Sequence, residues 1–589
     1  MSKIELVAIY WIIGTSILAW LLFIGTAIFG YQLGFWLALL LSCGLLTFAI
    51  KRTKRSIQNT HTNYQQLIFV FAWGILFTGL LQTRMLEQKV DGWYSGGATW
   101  GDLALHTSFI TKFATQPELD LTSPIYAQEK THYPFLYDFY TAQFVRHGNS
   151  IQHALIYTSL SLLLASLVLF YRVVFALTKS VRGVWVASCL FFLNGGLGFW
   201  YFLQDYLQGK QSFFAFVQKI PLNYSHIADK GVHFSNIITD LLLPQRGIIL
   251  GLAVFLVVLT IWQRAKSNYS LWILSSTLIG LLPLIHVHTF LLLLGCLGWL
   301  LMTQRIQKTM TTNQAVLALL PAVILGAAQL WWMGVGEQGS HFIKIIHGWM
   351  EPKESIGWFW LKNLGLELFF LTLGNVFIFW KTKKRTILHY LLPPLVLVFF
   401  IGNVVSLQPH VYDNIKLFFY IHLLTAFFTT VLLLKLAKFS RILAAICFIT
   451  LTSAGMLSVV RESQVSWPIA TKEDLRFAEQ IQASTKSTAI FLTADNHNHP
   501  IPMLAGRSVV LGYRGWLWTH GIAYWQTEGE VRKIYAGESD ALELLRKHQV
   551  AYIVIGNEEK QQYTVSESFF YENFPVLLRS NSRTVFVVQ

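Results

Sequence analysis

Long apolar tracts separated by short polar ones fill the first three-quarters of the chain, and a bilayer core takes about 20 apolar residues per helical crossing. On that scale the pattern predicts about 13 spans, at 5–28, 33–50, 66–84, 152–177, 183–204, 245–263, 270–286, 288–303, 314–334, 358–380, 387–406, 415–436 and 441–460. The seventh and eighth are short and are separated by little more than Val287, so fusing them would reverse every later segment. The basic residues decide the count. Lys51, Arg52, Lys54 and Arg55 follow the second span, Lys179 and Arg182 the fourth, and Arg264 and Lys266 the sixth. Arg305 and Lys308 follow the eighth, Lys381, Lys383, Lys384 and Arg385 the tenth, and Lys435, Lys438 and Arg441 the twelfth. Every cluster follows an even-numbered span, and positive charge stays on the cytoplasmic side. The expectation is an α-helical polytopic membrane protein with its N-terminus in the cytoplasm and its C-terminus outside.

That topology puts the loop at 86–151 on the outer face, together with loops near 204–244, 335–357 and 406–414 and everything after Val460. Within the second loop, SFFAFVQKIPLNY is apolar enough for an interfacial amphipathic helix, and an ordinary surface helix is the equal alternative. After Arg461 the pattern changes. LRFAEQIQAS and ESDALELLRKH read as helices, and AIFLTA, SVVLGY, AYIVIG and TVFVVQ as buried strands. The chain therefore divides into a transmembrane domain at 1–461 and a small extracytoplasmic α/β domain at 462–589. No GxGxxG or P-loop pattern opens a helix of the second domain.

Composition narrows the class. A chain that is 54% hydrophobic and 13% charged, with 21 Trp and 44 Phe, has too little polar surface for a soluble fold of this size. The net charge of +15 lies in short clusters between apolar tracts rather than in one patch, which argues against nucleic acid as a partner. Cys43, Cys189, Cys296 and Cys447 all lie within apolar tracts and suit packing rather than a disulfide or a metal knuckle. The first apolar run, Leu6–Phe29, lacks a basic n-region and a small-residue cleavage site and reads as a retained helix.

The loop at 86–151 holds the candidate acids. In WGDLALH, Asp102 and His106 share a face if a helix starts near Gly101, so the carboxylate can accept a hydroxyl proton while the imidazole orients it or binds phosphate. The same spacing also fits an N-cap aspartate beside a surface histidine. Gln245 and Arg246 stand at the outer end of the sixth span, where a guanidinium can bind a phosphate or anchor at the interface. Asp413, Asn414 and Lys416 stand at the mouth of the twelfth, with Lys416 on the side that the positive-inside rule disfavours. His286 and His288 form a polar pair at the tip of the hairpin between spans seven and eight, suited to a tight turn or to part of a metal site. DNHNHP, Asp495–Pro500, fits either a metal site or a solvated loop.

Together these residues resemble the bacterial branch of the GT-C glycosyltransferase superfamily, and within it the dolichyl-phosphate-mannose-protein mannosyltransferase and aminoarabinose transferase-like group. The resemblance rests on Gly101, Asp102 and His106, on Tyr133–Pro134 with Tyr137–Asp138, and on Pro244–Gln245–Arg246. It extends to His286–Val287–His288, to Asp413–Asn414 with Lys416, and to NHNHP followed by GRSVVLGYRGWLWTHGIAY. The match is one of order and sidedness along the whole chain. There is no WWD motif, since Met333 follows Trp331–Trp332.

The resemblance implies an integral enzyme of the bacterial inner membrane that moves a hexosyl or pentosyl group with inversion. The donor would be a polyprenyl-phosphate-linked sugar, the acceptor a lipid, glycan or protein on the outer (periplasmic) face. It implies Asp102 as general base with His106 and Asp138 beside it, and a donor phosphate held by Gln245, Arg246, Asp413, Asn414 and Lys416. Arg514, Trp516 and His520 become candidates for the acceptor side. The resemblance fixes no cofactor, and a divalent cation (Mg or Mn) is compatible, with its ligands unassigned. The competing classes are a flippase for lipid-linked saccharides, for which Glu367 is the main mid-span acid, and a non-catalytic subunit of cell-envelope assembly.

Overall fold

In lipid, backbone amides and carbonyls must be satisfied within their own segment, so apolar tracts of this length fold as helices. A computed structural model describes residues 2–57, 63–265, 268–334, 343–369 and 386–588, with the side chains at 52–57 outside that description. Among the described residues nine helices are long and apolar enough to cross a membrane. Their outer faces stay apolar: Leu40, Phe71 and Ile442 are 70%, 70% and 76% exposed, a surface that suits lipid rather than water.

The first tract is a helical hairpin. Helix runs through Lys3–Ile57 and reverses at Gly30, whose φ is +74°. Gly25 and Gly34 meet across the reversal, where a Cβ on Gly34 would stand 2.4 Å from the Gly25 carbonyl. Only glycines allow the two backbones to approach so closely. Farther out the Tyr10 hydroxyl donates to the Ala49 carbonyl at 3.4 Å.

Three tracts that hydropathy reads as single spans contain shorter helices. In 183–204, helix Val181–Phe192 stops, the chain turns at Gly196 with φ +56°, and Gly198–Gln208 resumes. Asn236 holds this break by donating from Nδ2 to the carbonyls of Phe192 at 2.9 Å and Asn194 at 3.1 Å. In 270–286, helix Tyr269–Gly280 gives way to a turn in which the His286 amide donates to the Leu282 carbonyl at 2.7 Å. In 358–380, helix Ile356–Leu364 ends at Gly365, and the rest of that tract from 370 lies outside the described residues, as do Lys266, Lys381–Arg385 and 335–342. The SFFAFVQKIPLNY segment has one short helix, Phe213–Gln218, with Phe216 buried and Phe214 79% exposed.

The tract after Arg461 is built on a five-stranded sheet in the order Val576–Arg579, Arg583–Val587, Val550–Gly556, Ile490–Leu492, Ser508–Val509. The first two pairings are antiparallel and the last two parallel, with Ile553 opposite both Phe586 and Leu492. This tract is tied to the polar stretch between helices Tyr64–Leu80 and Ile151–Thr178. Strand Gly92–Ser95 pairs antiparallel with Trp467–Thr471, Trp93 opposite Ala470. Helix Trp100–Thr115 then packs on the sheet side, where Lys112 Nζ donates to Ser508 Oγ at 2.8 Å and Thr111 Oγ1 to the Met503 carbonyl at 3.0 Å.

Candidate active site

A cavity of about 880 Å³ lies where helix Trp100–Thr115, the 223–247 segment, the hairpin tip at 286–288, the start of helix Ile415–Phe439 and helix Arg514–Thr519 converge. Asp102, Gln245, His286, His288, Asp413 and Lys416 all line it. Segments hundreds of residues apart in sequence thus supply one chamber.

Asp102 is not a helix cap. The helix begins at Trp100 after Thr99, so Asp102 sits in its first turn, where the helix dipole favours a carboxylate. Gln245 Nε2 donates to Asp102 Oδ2 at 2.6 Å, and Oδ1 has no hydrogen-bond partner among the described residues. Removal from water raises the Asp102 pKa above the usual aspartate value; His106, Lys416 and the Gln245 bond oppose that rise, and Asp413 adds to it. Lys416 Nζ pairs with Asp413 Oδ1 at 2.9 Å, which sets a cation and an acid together on the cavity wall.

His106 and Asp138 meet, but behind this wall. His106 Nδ1 and Asp138 Oδ2 are 2.7 Å apart, and both side chains are almost fully buried. Arg246, expected at the donor phosphate, joins them. Its Nε donates to Asp138 Oδ1 at 3.0 Å, Nη1 to Ser159 Oγ at 3.2 Å, and Nη2 to Thr141 Oγ1 at 2.5 Å and Thr158 Oγ1 at 3.2 Å. At 1% exposure and outside the cavity lining, this guanidinium places four of its five N–H groups on protein acceptors. Asn414 is likewise structural: Nδ2 donates to the carbonyls of Gly402 at 2.9 Å and Val405 at 2.7 Å, and Oδ1 accepts from the Leu407 amide. Gln245, which lines the cavity, donates to Asp102.

His286 caps helix Val287–Ile306, its Nδ1 paired with Thr289 Oγ1 at 2.6 Å. The Nε2 atoms of His286 and His288 are both buried without a hydrogen-bond partner, and the rings are 5.6 Å apart. Of the acceptor-side candidates, Trp516 and His520 line the cavity, with the His520 ring 4.9 Å from Tyr133. Burial lowers the His520 pKa to about 4, so the ring is neutral near pH 7. Arg514 instead pairs with Asp495 and Glu528 away from the cavity.

Sequence reading missed a second polar wall. His226, His233 and Asp240 also line the cavity. His226 Nδ1 pairs with Ser235 Oγ at 2.8 Å, and Asp240 Oδ2 accepts from Thr239 Oγ1 at 3.0 Å and Asn223 Nδ2 at 3.3 Å. Burial raises the Asp240 pKa. The signal was the polar run NYSHIADKGVHFSNIITD just before Pro244–Gln245–Arg246.

The cavity does not bring three metal-ligand atoms together among the described residues. Among the described residues the one such group is His499, Glu558 and Glu559, with ligand atoms within 4.8 Å of one another. It could hold a cation, but Glu559 already accepts from the amides of Ala494 and Gly556 and faces His499 Nε2 at 3.1 Å, and Glu558 pairs with Arg583.

No protein-family model and no curated protein matches the chain. Among solved structures it is similar to the apo crystal structure of the Archaeoglobus fulgidus oligosaccharyltransferase, at 12% identity over 85% of this chain and 70% of that one, with a TM-score of 0.48. The same archaeal enzyme tethered to an acceptor peptide containing the NVT sequon gives 12% identity, the same coverage and a TM-score of 0.46. The archaeal oligosaccharyltransferase AglB with an inhibitory peptide and a dolichol-phosphate gives 12% identity over 84% of this chain and 70% of that one, with a TM-score of 0.43.

Proposed function

We propose that the chain is an integral-membrane glycosyltransferase of the GT-C type. It moves a sugar from a polyprenyl-phosphate-linked donor to an acceptor on the outer face of the membrane. The observation that carries this reading is Asp102: a carboxylate of raised pKa, with one oxygen held by Gln245 and the other without a partner, in a large cavity that also holds Lys416. In the reaction, Asp102 takes the proton of an acceptor hydroxyl as its oxygen bonds to the anomeric carbon. The bond from that carbon to the phosphate oxygen breaks on the opposite face, giving inversion. The leaving phosphate gains negative charge beside Lys416, where partial dehydration strengthens the attraction. Arg246 and Asp138 act as positioning residues that hold His106 behind Asp102.

The thirteen-span, N-inside topology belongs to the same proposal, as does a boundary near 461 between a transmembrane and an extracytoplasmic domain at the inner membrane of a bacterium. A transport reading has less support. Glu367, its mid-span acid, is buried against His422 at 2.9 Å and does not line the Asp102 cavity.

The test is transfer from synthetic short-chain polyprenyl-phosphate sugars by the full chain in nanodiscs. A positioned base is worth about 10²–10⁴ in rate, so Asp102→Asn should lose transfer by that factor with unchanged thermal stability. A fully active Asp102→Asn variant would end the proposal.

A further inference from the structure

A second cavity, of about 710 Å³, opens beside the first. Aromatic side chains form its walls: Trp100 on the first turn of the Trp100–Thr115 helix, and Tyr513, Trp518 and Tyr524 from the tract after the Ser508–Val509 strand. Tyr513 and Trp518 are 41% and 40% exposed, large ring faces left open in a wall that is otherwise packed. Between them runs the Asp495–Asn498 loop, where the His497 ring lies 3.8 Å from Trp100.

The electrostatics of this groove select against a charged occupant. The two ionic side chains on its wall, Asp495 and Arg514, are bonded to each other. Arg514 is bound on its other side by Glu528 at 2.5 Å, and Asp495 accepts a further bond from Gln562. Arg514 is thus charge-balanced by two carboxylates, and among the described residues no unpaired ionic side chain lines the groove. What remains is neutral and directional. Asn498 donates Nδ2 to the Ile469 carbonyl at 3.0 Å and keeps its Oδ1, Asn496 adds a second amide, and His497 Nε2 is buried with no hydrogen-bond partner. A buried polar atom without a partner costs free energy until a ligand supplies one. Open aromatic faces flanked by amides suit a ligand with a flat C–H face and a rim of hydroxyls.

We propose that this groove binds a neutral saccharide chain, and that this chain is the acceptor of the transfer described above. The acceptor role rests on that reading; saccharide binding does not. The two cavities share walls. Helix Arg514–Thr519 gives Trp518 to the groove and Trp516 and Thr519 to the Asp102 cavity, while helix Trp100–Thr115 gives Trp100 to one and Asp102 to the other. The Trp518 ring also lies 5.7 Å from His410, a residue of the first cavity. A saccharide held on Trp518 and Trp100 would thus sit on the two helices that also line the cavity of the proposed base, and a terminal hydroxyl is the group the base needs.

The test uses the full-length protein in detergent micelles, titrated with four neutral probes: chitopentaose, maltopentaose, cellopentaose and α-1,6-linked mannopentaose. Tryptophan fluorescence and calorimetry report binding. At least one probe should bind, Trp518→Ala should weaken it at least tenfold, and Trp518→Phe, which keeps a ring face, should retain most of it. Asp102→Asn should bind as the parent does, so loss of transfer and loss of acceptor binding are read separately. With an active donor, Trp518→Ala should raise the acceptor KM and leave the donor KM unchanged. Absence of binding by all four probes, equal binding by Trp518→Ala, or binding of peptides instead would overturn the saccharide site. An unchanged acceptor KM would overturn the acceptor role.

Discussion

Arg246 offers the sharpest separation between a ligand-binding and a positioning role. Replacing it with glutamine removes the guanidinium that donates to Asp138, Ser159, Thr141 and Thr158 at 3.0, 3.2, 2.5 and 3.2 Å. Asp138, 2% exposed, then keeps His106 as its remaining charged-capable partner. Breaking a buried ion pair by removing one member costs about 3–5 kcal/mol, because the other charge stays dehydrated. At about 1.4 kcal/mol per factor of ten, this would speed unfolding on the order of 10²- to 10⁴-fold if the loss falls on the unfolding rate. The assay is the half-life of purified protein in detergent at a fixed temperature, followed by intrinsic tryptophan fluorescence. Arg246→Gln should unfold faster by that order. The double variant Asp138→Asn with Arg246→Gln should recover a large part of the loss, since it leaves no unpaired charge. Parental half-life in Arg246→Gln, together with a raised donor KM, would refute this reasoning and return the guanidinium to the phosphate.

Two further predictions concern other carboxylates. Transfer needs Asp102 deprotonated, and burial raises its pKa, so kcat/KM should fall as pH drops through a value above the ordinary aspartate range. Gln245→Leu removes a bond that favours the charged form, so this acid limb should move to higher pH; a shift to lower pH would contradict the assignment. Burial alone would raise the Glu559 pKa, but His499 and the Ala494 amide outweigh it and hold the group below the usual glutamate range. Its stabilisation is therefore complete above about pH 4.3 and lost as pH falls through the lower folded value. Glu559→Gln should lower thermal stability near neutral pH by about 1–3 kcal/mol and flatten that acid dependence. Melting curves between pH 3 and 7 that superimpose for parent and variant would refute it.

What could be read from the chain alone was set by local physics. Tract length against bilayer thickness marks the helices, and the sequence PQRG at the start of Arg246–Ala265 marks a polar residue at a helix end, whatever it contacts. Asp102 was legible as a candidate because it and His106 lie four apart in a polar outer loop between apolar tracts. Its partner was not, because Gln245 reaches it across 143 positions of sequence. Hydropathy could not see that Asn194 and Asn236 break an apolar tract, since the cost of the break is met by hydrogen bonds to a distant loop. Nor could spacing decide whether Arg246 faces a ligand or Asp138. A guanidinium's role depends on which acceptors lie within about 3 Å, and those came from helices Leu136–Arg146 and Ile151–Thr178. Local pattern was enough to mark the long apolar tracts and the residue types available for chemistry, though not where a tract breaks. Only the tertiary structure decided which of them share a cavity, because burial and pairing are properties of neighbours that the chain brings together from far apart.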